Sequence, residues 1–347
     1  MTKSIDPAFV VVKDLVQDYR ARGGLPGRRR SVRAVDKVSF AIGKGETLGL
    51  VGESGSGKST AARAMLRLID PTSGEVYLDG VDVLRLSRRE LHEFRHRMQI
   101  VFQDPFASLN PRMRVGAAVR EVLTVNGFEP DRRDQRVREL FELVGLTNAH
   151  MTRYPHELSG GQRQRIGIAR ALATSPEFIV ADEAISALDV SVQAQIVNLL
   201  QDLRDELDLT YLFISHDLSM VRHICDRIAV LYMGRLVEVG PADLVYSAPL
   251  HPYTLALLSA VPVADPDRER QRERLVLSGD VPDPANPPAG CRFHTRCPFA
   301  TEICASSDPP MKEVGENGRS HEIACHHVDE VMAHRASYLN RVTGSTS

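Results

Sequence analysis

Gly52-Glu53-Ser54-Gly55-Ser56-Gly57-Lys58-Ser59-Thr60 is the stretch on which the reading of this chain turns. It fits the pattern G-x-x-x-x-G-K-S/T, and its surroundings are the ones that pattern needs. The apolar run Thr47-Leu48-Gly49-Leu50-Val51 predicts a strand leading into it, and Thr60 to Ile69 predicts a helix leaving it. The glycines let the backbone curl so that successive N–H groups point at phosphate oxygens, and the helix N-terminus adds the positive end of its dipole. Lys58 is expected to reach the β- and γ-phosphates of a nucleotide, with the Ser59 hydroxyl as a ligand for Mg²⁺. A glycine-rich turn could match by chance, but the flanking strand and helix argue against it.

Working outward, Phe178-Ile179-Val180-Ala181 predicts a second buried strand, and it ends in Asp182-Glu183. Asp182 suits a Mg²⁺ site, and Glu183 suits the polarisation of an attacking water. Met98 to Phe102 and Tyr211 to Ile214 predict two further strands of the same predominantly apolar kind, expected in a parallel sheet covered on both faces. Apolar residues recur at helical spacing over Arg132 to Val144 and Ser191 to Leu207. The alternation of strand and helix through the first 240 residues predicts an α/β fold with a mainly parallel sheet, interrupted by a helical insertion at about 104–175.

Leu158-Ser159-Gly160-Gly161-Gln162, continued by Arg163-Gln164-Arg165, resembles the signature of ABC ATPases. Other pieces of that family's pattern follow in order. Gln103 resembles the Q-loop glutamine, Ser186-Ala187-Leu188-Asp189 the D-loop, and His216 the switch histidine. Tyr19 resembles the aromatic residue that stacks on adenine, although the segment from Arg20 to Ser31 is longer and more basic than usual. The resemblance implies a P-loop NTPase (RecA-like) ABC ATPase core over residues 1–240, with a helical subdomain at about 104–175. It also implies an ATP site made of Tyr19, Gly52, Ser54, Gly55, Ser56, Gly57, Lys58, Ser59, Thr60 and Gln103. Ser59, Gln103 and Asp182 would hold Mg²⁺, and Glu183, His216 and Lys58 would be catalytic. In this family two such domains pair head to tail, so Ser159, Gly160, Gly161 and Gln162 would act in trans on the nucleotide of the partner. ATP bridging would then close the pair, and hydrolysis would open it.

Val101 to Arg112, Asp182 to Ser191 and His251-Pro252-Tyr253-Thr254 resemble the dipeptide and oligopeptide permease branch of the family. His251 to Val261 predicts a short helix, residues 262–290 an extended connector, and residues 241–347 together a small Cys-containing C-terminal extension. The resemblance implies two membrane permease subunits, a second ATPase subunit and an extracytoplasmic solute-binding protein as partners. It implies work at the cytoplasmic face of the membrane. Nickel and glutathione importers share much of the pattern, so the cargo stays open among these.

Composition sets limits on these readings. With 43 basic and 45 acidic side chains, the net charge of −2 gives no overall field to attract nucleic acid. This disfavours a soluble ABC ATPase acting on DNA or ribosomes. The N-terminus carries no apolar signal, and no run of about 18 apolar residues is present to span a bilayer. Five cysteines, an odd number, suit a reducing compartment. Four of them, Cys291, Cys297, Cys304 and Cys325, fall in the last sixty residues. They are able to hold a [4Fe–4S] cluster or Zn²⁺, or to pack as reduced thiols. No C-x₂-C knuckle is present, and some members of the resembling family carry an iron–sulfur cluster on a similar set, which favours iron and raises the prospect of a redox- or iron-sensing role. Cys225 reads as plain packing.

Overall fold

The computed structural model describes residues 8–20, 31–104, 108–261, 277, 279–315 and 319–343. In chain order the elements are β1 (Ala8–Arg20), β2 (Ser31–Gly43), β3 (Thr47–Val51), α1 (Lys58–Met65), β4 (Ser73–Leu78), β5 (Val81–Asp82) and α2 (Arg88–Phe94). There follow β6 (Met98–Val101), α3 (Val115–Val125), α4 (Pro130–Leu143), α5 (Gly160–Leu172), β7 (Phe178–Asp182), α6 (Val190–Leu207), β8 (Thr210–Ser215) and α7 (Leu218–Ile224). The last part comprises β9 (Arg227–Tyr232), β10 (Arg235–Pro241), α8 (Ala242–Ser247), α9 (Pro252–Ala260), α10 (Glu302–Ser306), β11 (Lys312–Glu313), β12 (Glu322–Ile323) and α11 (Val328–Thr343). The chain falls into two compact units: Met1–Val10, Ala41–Thr47 and Tyr77–Ile214 form the first, and Val11–Phe40, Leu48–Val76 and Ser215–Ser347 the second.

In the first unit β6, β7 and β8 run parallel, with Met98 opposite Phe178 and Phe178 opposite Thr210. Every residue of β7 and β8 is buried, as mostly apolar strands covered on both faces require. Helices α3, α4 and α5 lie within the segment read as a helical insertion, and each buries one stripe. On α4 that stripe is Val137, Leu140 and Phe141, and each such side chain contributes about 1.5–3 kcal/mol by leaving water. Helix α6 begins where Asp189 caps it by accepting from the Val192 N–H at 3.0 Å, and it ends where Asp208 turns left-handed at φ 52°.

In the second unit β3 pairs parallel with β9, Leu48 opposite Arg227 and Val51 opposite Val230. A two-residue turn at Met233-Gly234, φ 45° and 80°, folds β10 back antiparallel onto β9, the conformation that matches strand twist. The C-terminal extension continues this sheet: β12 pairs with β10, Ile323 opposite Glu238, and β11 pairs with β12. A further sheet, containing β2 and β1 side by side, was not foreseen from the sequence, and it adds to the expected parallel architecture.

Predicted boundaries shift in places, for local reasons. The helix expected over Thr60 to Ile69 spans Lys58–Met65 and stops because Arg67 adopts φ 48°. The strand expected to end at Phe102 ends at Val101. The residues around Phe106, at 105–107, and most of the connector, at 262–276 and 278, lie outside the described residues, as do 21–30 in the basic segment. Among the described residues no helix is long and apolar enough to cross a membrane. Cys225, 8% exposed, packs in the core as expected.

Candidate functional site

The phosphate loop belongs to the second unit. Gly55 and Gly57 stand at φ 79° and 106°, conformations that side chains with a β-carbon rarely adopt. Gly57 is the residue before α1, and no side chain caps that helix start, so its leading N–H groups face the loop. Lys58 is buried and donates from Nζ to the carbonyls of Gly52 at 2.8 Å and Glu53 at 2.9 Å, which holds its ammonium in the hollow of the loop. Ser56 is also buried, and its Oγ has no hydrogen-bond partner among the described residues. An orphaned hydroxyl beside a buried ammonium fits an anion with several oxygens. The loop's outer wall is fixed by the Gly234 N–H, which donates to the Ser56 carbonyl at 2.7 Å.

Two contacts to this loop have no counterpart in the sequence reading. The Tyr253 Oη accepts from the Glu53 N–H at 2.8 Å. Arg296 donates from both terminal nitrogens to the Glu53 carboxylate, at 3.0 and 3.2 Å. Tyr253 stands in the quoted His251-Pro252-Tyr253-Thr254 run, but nothing in the sequence ties it to residue 53.

Also in the second unit, His216 follows the last residue of β8 and is exposed, just before Asp217 caps α7. Tyr19 is 42% exposed near the end of β1, and its neighbour Asp18 is held by Arg33 at 2.9 and 3.2 Å. An exposed ring on an anchored strand suits stacking.

The first unit carries the other predicted residues. Asp182, 3% exposed, ends β7. Glu183 follows with φ 47° and is held there by three bonds. Its N–H donates to the Ile214 carbonyl at 3.1 Å, and its own carbonyl accepts from the Ser186 N–H at 3.1 Å and the Ser186 Oγ at 3.0 Å. Gln103 is exposed, and its Nε2 reaches the same Ser186 Oγ at 3.5 Å, the outer limit of a hydrogen bond. Ser159 is the residue capping α5: its Oγ accepts from the Gln162 N–H at 3.2 Å, while Gln162 Oε1 accepts from the Ser159 N–H at 3.0 Å. A hydroxyl that accepts here keeps a hydrogen to donate to an anion. Gly161 has a steric reason to be glycine, because a β-carbon would lie 2.5 Å from Val192 Cγ1.

The cysteine module does not support the metal expected of it. Burial pushes the Cys291 thiol up, Cys297 up to about 12 and Cys325 up to about 11, with the neighbouring thiols adding to each shift. The four sulfurs are therefore near enough to sense one another. Among the described residues, however, no group of three or more His, Cys, Asp or Glu side chains is placed to hold a metal ion. The expected [4Fe–4S] cluster, or Zn²⁺ in its stead, is therefore not supported by the arrangement of the described residues.

Comparison with known proteins agrees with the fold. Residues 35–186 match the model of the ABC transporter family, and residues 237–304 match the oligopeptide/dipeptide transporter C-terminal region. The chain is 52% identical over 329 residues to the oligopeptide transport ATP-binding protein AppF of Bacillus subtilis, covering 94% of this chain and 99% of that one. It is 54% identical over 302 residues to the putative oligopeptide transport ATP-binding protein YkfD of the same organism, covering 86% and 91%. Among solved structures it is similar to the dimeric, post-hydrolysis ATP-binding cassette MJ0796 bound to ADP and Pi. The TM-score is 0.60 at 31% identity, covering 67% of this chain and 98% of that one. CbiO1 from Clostridium perfringens, part of the ABC transporter complex cbiONQ, gives a TM-score of 0.61 at 26% identity, covering 70% and 91%. The chain belongs to the ABC transporter family, as an ATP-binding protein with the oligopeptide/dipeptide type of C-terminal region.

Proposed function

We propose that this chain is the ATP-hydrolysing subunit of an ABC importer that takes up di- or oligopeptides. The observation that carries the ATPase reading is the phosphate loop, in which two left-handed glycines, the buried Lys58 ammonium and the orphaned Ser56 hydroxyl converge. The peptide reading is supported by the relatives' names and by the C-terminal region they share with this chain.

In this reading the amides from Ser54 to Thr60 and the Lys58 ammonium bind the phosphates, and Tyr19 stacks on the base. Ser59, Asp182 and Gln103 offer only hard oxygen donors, the set that Mg²⁺ prefers. Mg²⁺, when bound, neutralises charge on the β- and γ-phosphates. Glu183 orients the attacking water and accepts its proton, and His216 contacts the γ-phosphate. Ser159, Gly160, Gly161 and Gln162 donate to the nucleotide held by a second ATPase subunit, identical or related. The division at residue 240 separates the ATPase domain from the extension. Two membrane permease subunits and an extracytoplasmic solute-binding protein complete the assembly at the cytoplasmic face.

The test is reconstitution of the chain with its membrane subunits and binding protein in liposomes. Peptides should raise ATP turnover and accumulate inside in an ATP-dependent way. Stimulation by nickel or glutathione alone would reassign the cargo, and stimulation by nucleic acid would reassign the class.

A further inference from the structure

The C-terminal extension reaches back and grips the phosphate loop, and everything in this grip lies within the second unit. Arg296 sits at the end of a single 3₁₀ turn, His294–Arg296, immediately before Cys297. Its guanidinium is 9% exposed and forms a two-pronged ion pair with Glu53, the residue after the first glycine of the loop. Such a planar fork fixes direction as well as charge. Arg296 also lies over the ring of Tyr232, 6.0 Å from its centroid. Tyr232, Tyr253 and Phe293 pack edge to face or tilted, with centroids 4.7–5.5 Å apart, so the arginine rests on a rigid aromatic floor. Tyr253 rises from that floor to accept the Glu53 N–H, and burial keeps its phenol protonated. Burial alone would lower the Arg296 pKa, but its bonds to Glu53 and Tyr232 outweigh that and raise it.

A second arginine holds the loop's other wall. Arg292 donates to the Met233 carbonyl and to Asp36. The next residue along, Gly234, donates to Ser56, and Gly234 in turn accepts from the Asp36 N–H at 2.9 Å. Two arginines four residues apart in the cysteine module thus support both ends of the loop's first turn.

We propose that Arg296 and Tyr253 are positioning residues for the phosphate loop, through which the C-terminal module sets ATP affinity. Arg296 does two separable things: it locks the loop's entry, and it neutralises a carboxylate that would otherwise stand one residue from the first phosphate-binding glycine. Removing the arginine leaves Glu53 uncompensated beside an incoming polyanion. This inference rests on the reading of the loop as an ATP site.

The test is titration of the full-length chain with Mg-ATP, alongside its thermal melting without nucleotide. Arg296→Ala and Tyr253→Phe should each raise the Kd for ATP about tenfold, equivalent to about 1.4 kcal/mol, with kcat at saturating ATP little changed. Arg296→Lys should recover part of the loss, since it restores charge without the fork. Adding Glu53→Gln to Arg296→Ala should improve binding over Arg296→Ala alone, because the unpaired carboxylate is gone. Wild-type affinity in folded Arg296→Ala and Tyr253→Phe would overturn the proposal. So would a double variant weaker than Arg296→Ala. Should Arg296→Ala not fold, Tyr253→Phe and Arg296→Lys still decide it. Failure of the wild-type chain to bind ATP would sink the ATPase reading instead.

Discussion

The N–H of Glu183 donates to the carbonyl of Ile214 at 3.1 Å, and this bond pins Glu183 in a left-handed conformation, φ 47°. Non-glycine residues held there by their surroundings cluster at functional sites, because the strain fixes where the side chain emerges. A buried strand that ends in Asp182 and then turns this sharply presents its two carboxylates differently: Asp182 is 3% exposed and Glu183 is half-buried.

Glu183→Gln keeps the backbone bond and the side-chain volume but removes the proton acceptor. ATP binding should persist while hydrolysis falls by about 10²-fold or more, the range of a general base. Steady-state phosphate release and equilibrium ATP binding measure the two quantities separately. Near-normal turnover would take Glu183 out of that role.

Gly161→Ala should destabilise the first unit. Its new β-carbon would sit 2.5 Å from Cγ1 of Val192, a stiff side chain at the start of α6. Overpacking of this kind costs about 1–3 kcal/mol, read as a lower urea midpoint. Val192→Ala in the same chain should restore most of the loss, because it removes the methyl groups that collide. A midpoint unmoved by Gly161→Ala would mean that the helices yield without cost.

His251 gives the fold a dependence on pH. It is 1% exposed, and burial lowers its pKa from 6.5 to about 4. Its Nδ1 accepts from the Tyr253 N–H at 3.0 Å, so the folded state needs the neutral ring. Below pH 6.5 the unfolded chain takes up the proton that the folded chain refuses, so this contribution to stability is complete above that pH and is lost as pH falls toward 4. The full loss from this residue should be about 3–4 kcal/mol, the product of the shift and the energy of one pKa unit. His251→Asn keeps a capping oxygen but does not titrate. Urea unfolding of both chains between pH 7 and 4.5 should show the wild type weakening more than the variant, and parallel curves would contradict the assignment.

What the sequence made legible follows from the range over which each feature is encoded. β3, β6, β7 and β8 are mostly apolar runs, and the phosphate loop and the Ser159 cap are written within ten residues. Such features need no tertiary information. β11 and β12 span two residues each, too short for any periodicity, and they exist because the edge of β10 accepts β12, which in turn accepts β11. The pairing of Arg296 with Glu53 joins residues 243 apart, and no local pattern announces it. The cysteine quartet illustrates the opposite case: its spacing invites a metal, while the burial of Cys304 and Cys325, the half-burial of Cys291 and Cys297, and the absence among the described residues of a group placed to hold an ion appear only in three dimensions.

The most direct measurement is equilibrium titration of the full-length chain with Mg-ATP, wild type against Lys58→Ala. Lys58 is the buried ammonium aimed into the loop, and a charge-assisted contact to phosphate is worth about 1.5–3 kcal/mol, or roughly ten- to a hundredfold in affinity. The wild-type chain should bind ATP, and Lys58→Ala should bind it weaker by that factor while melting close to the wild type. Equal affinities, or a wild-type chain that takes up no ATP at all, would contradict phosphate binding at this loop.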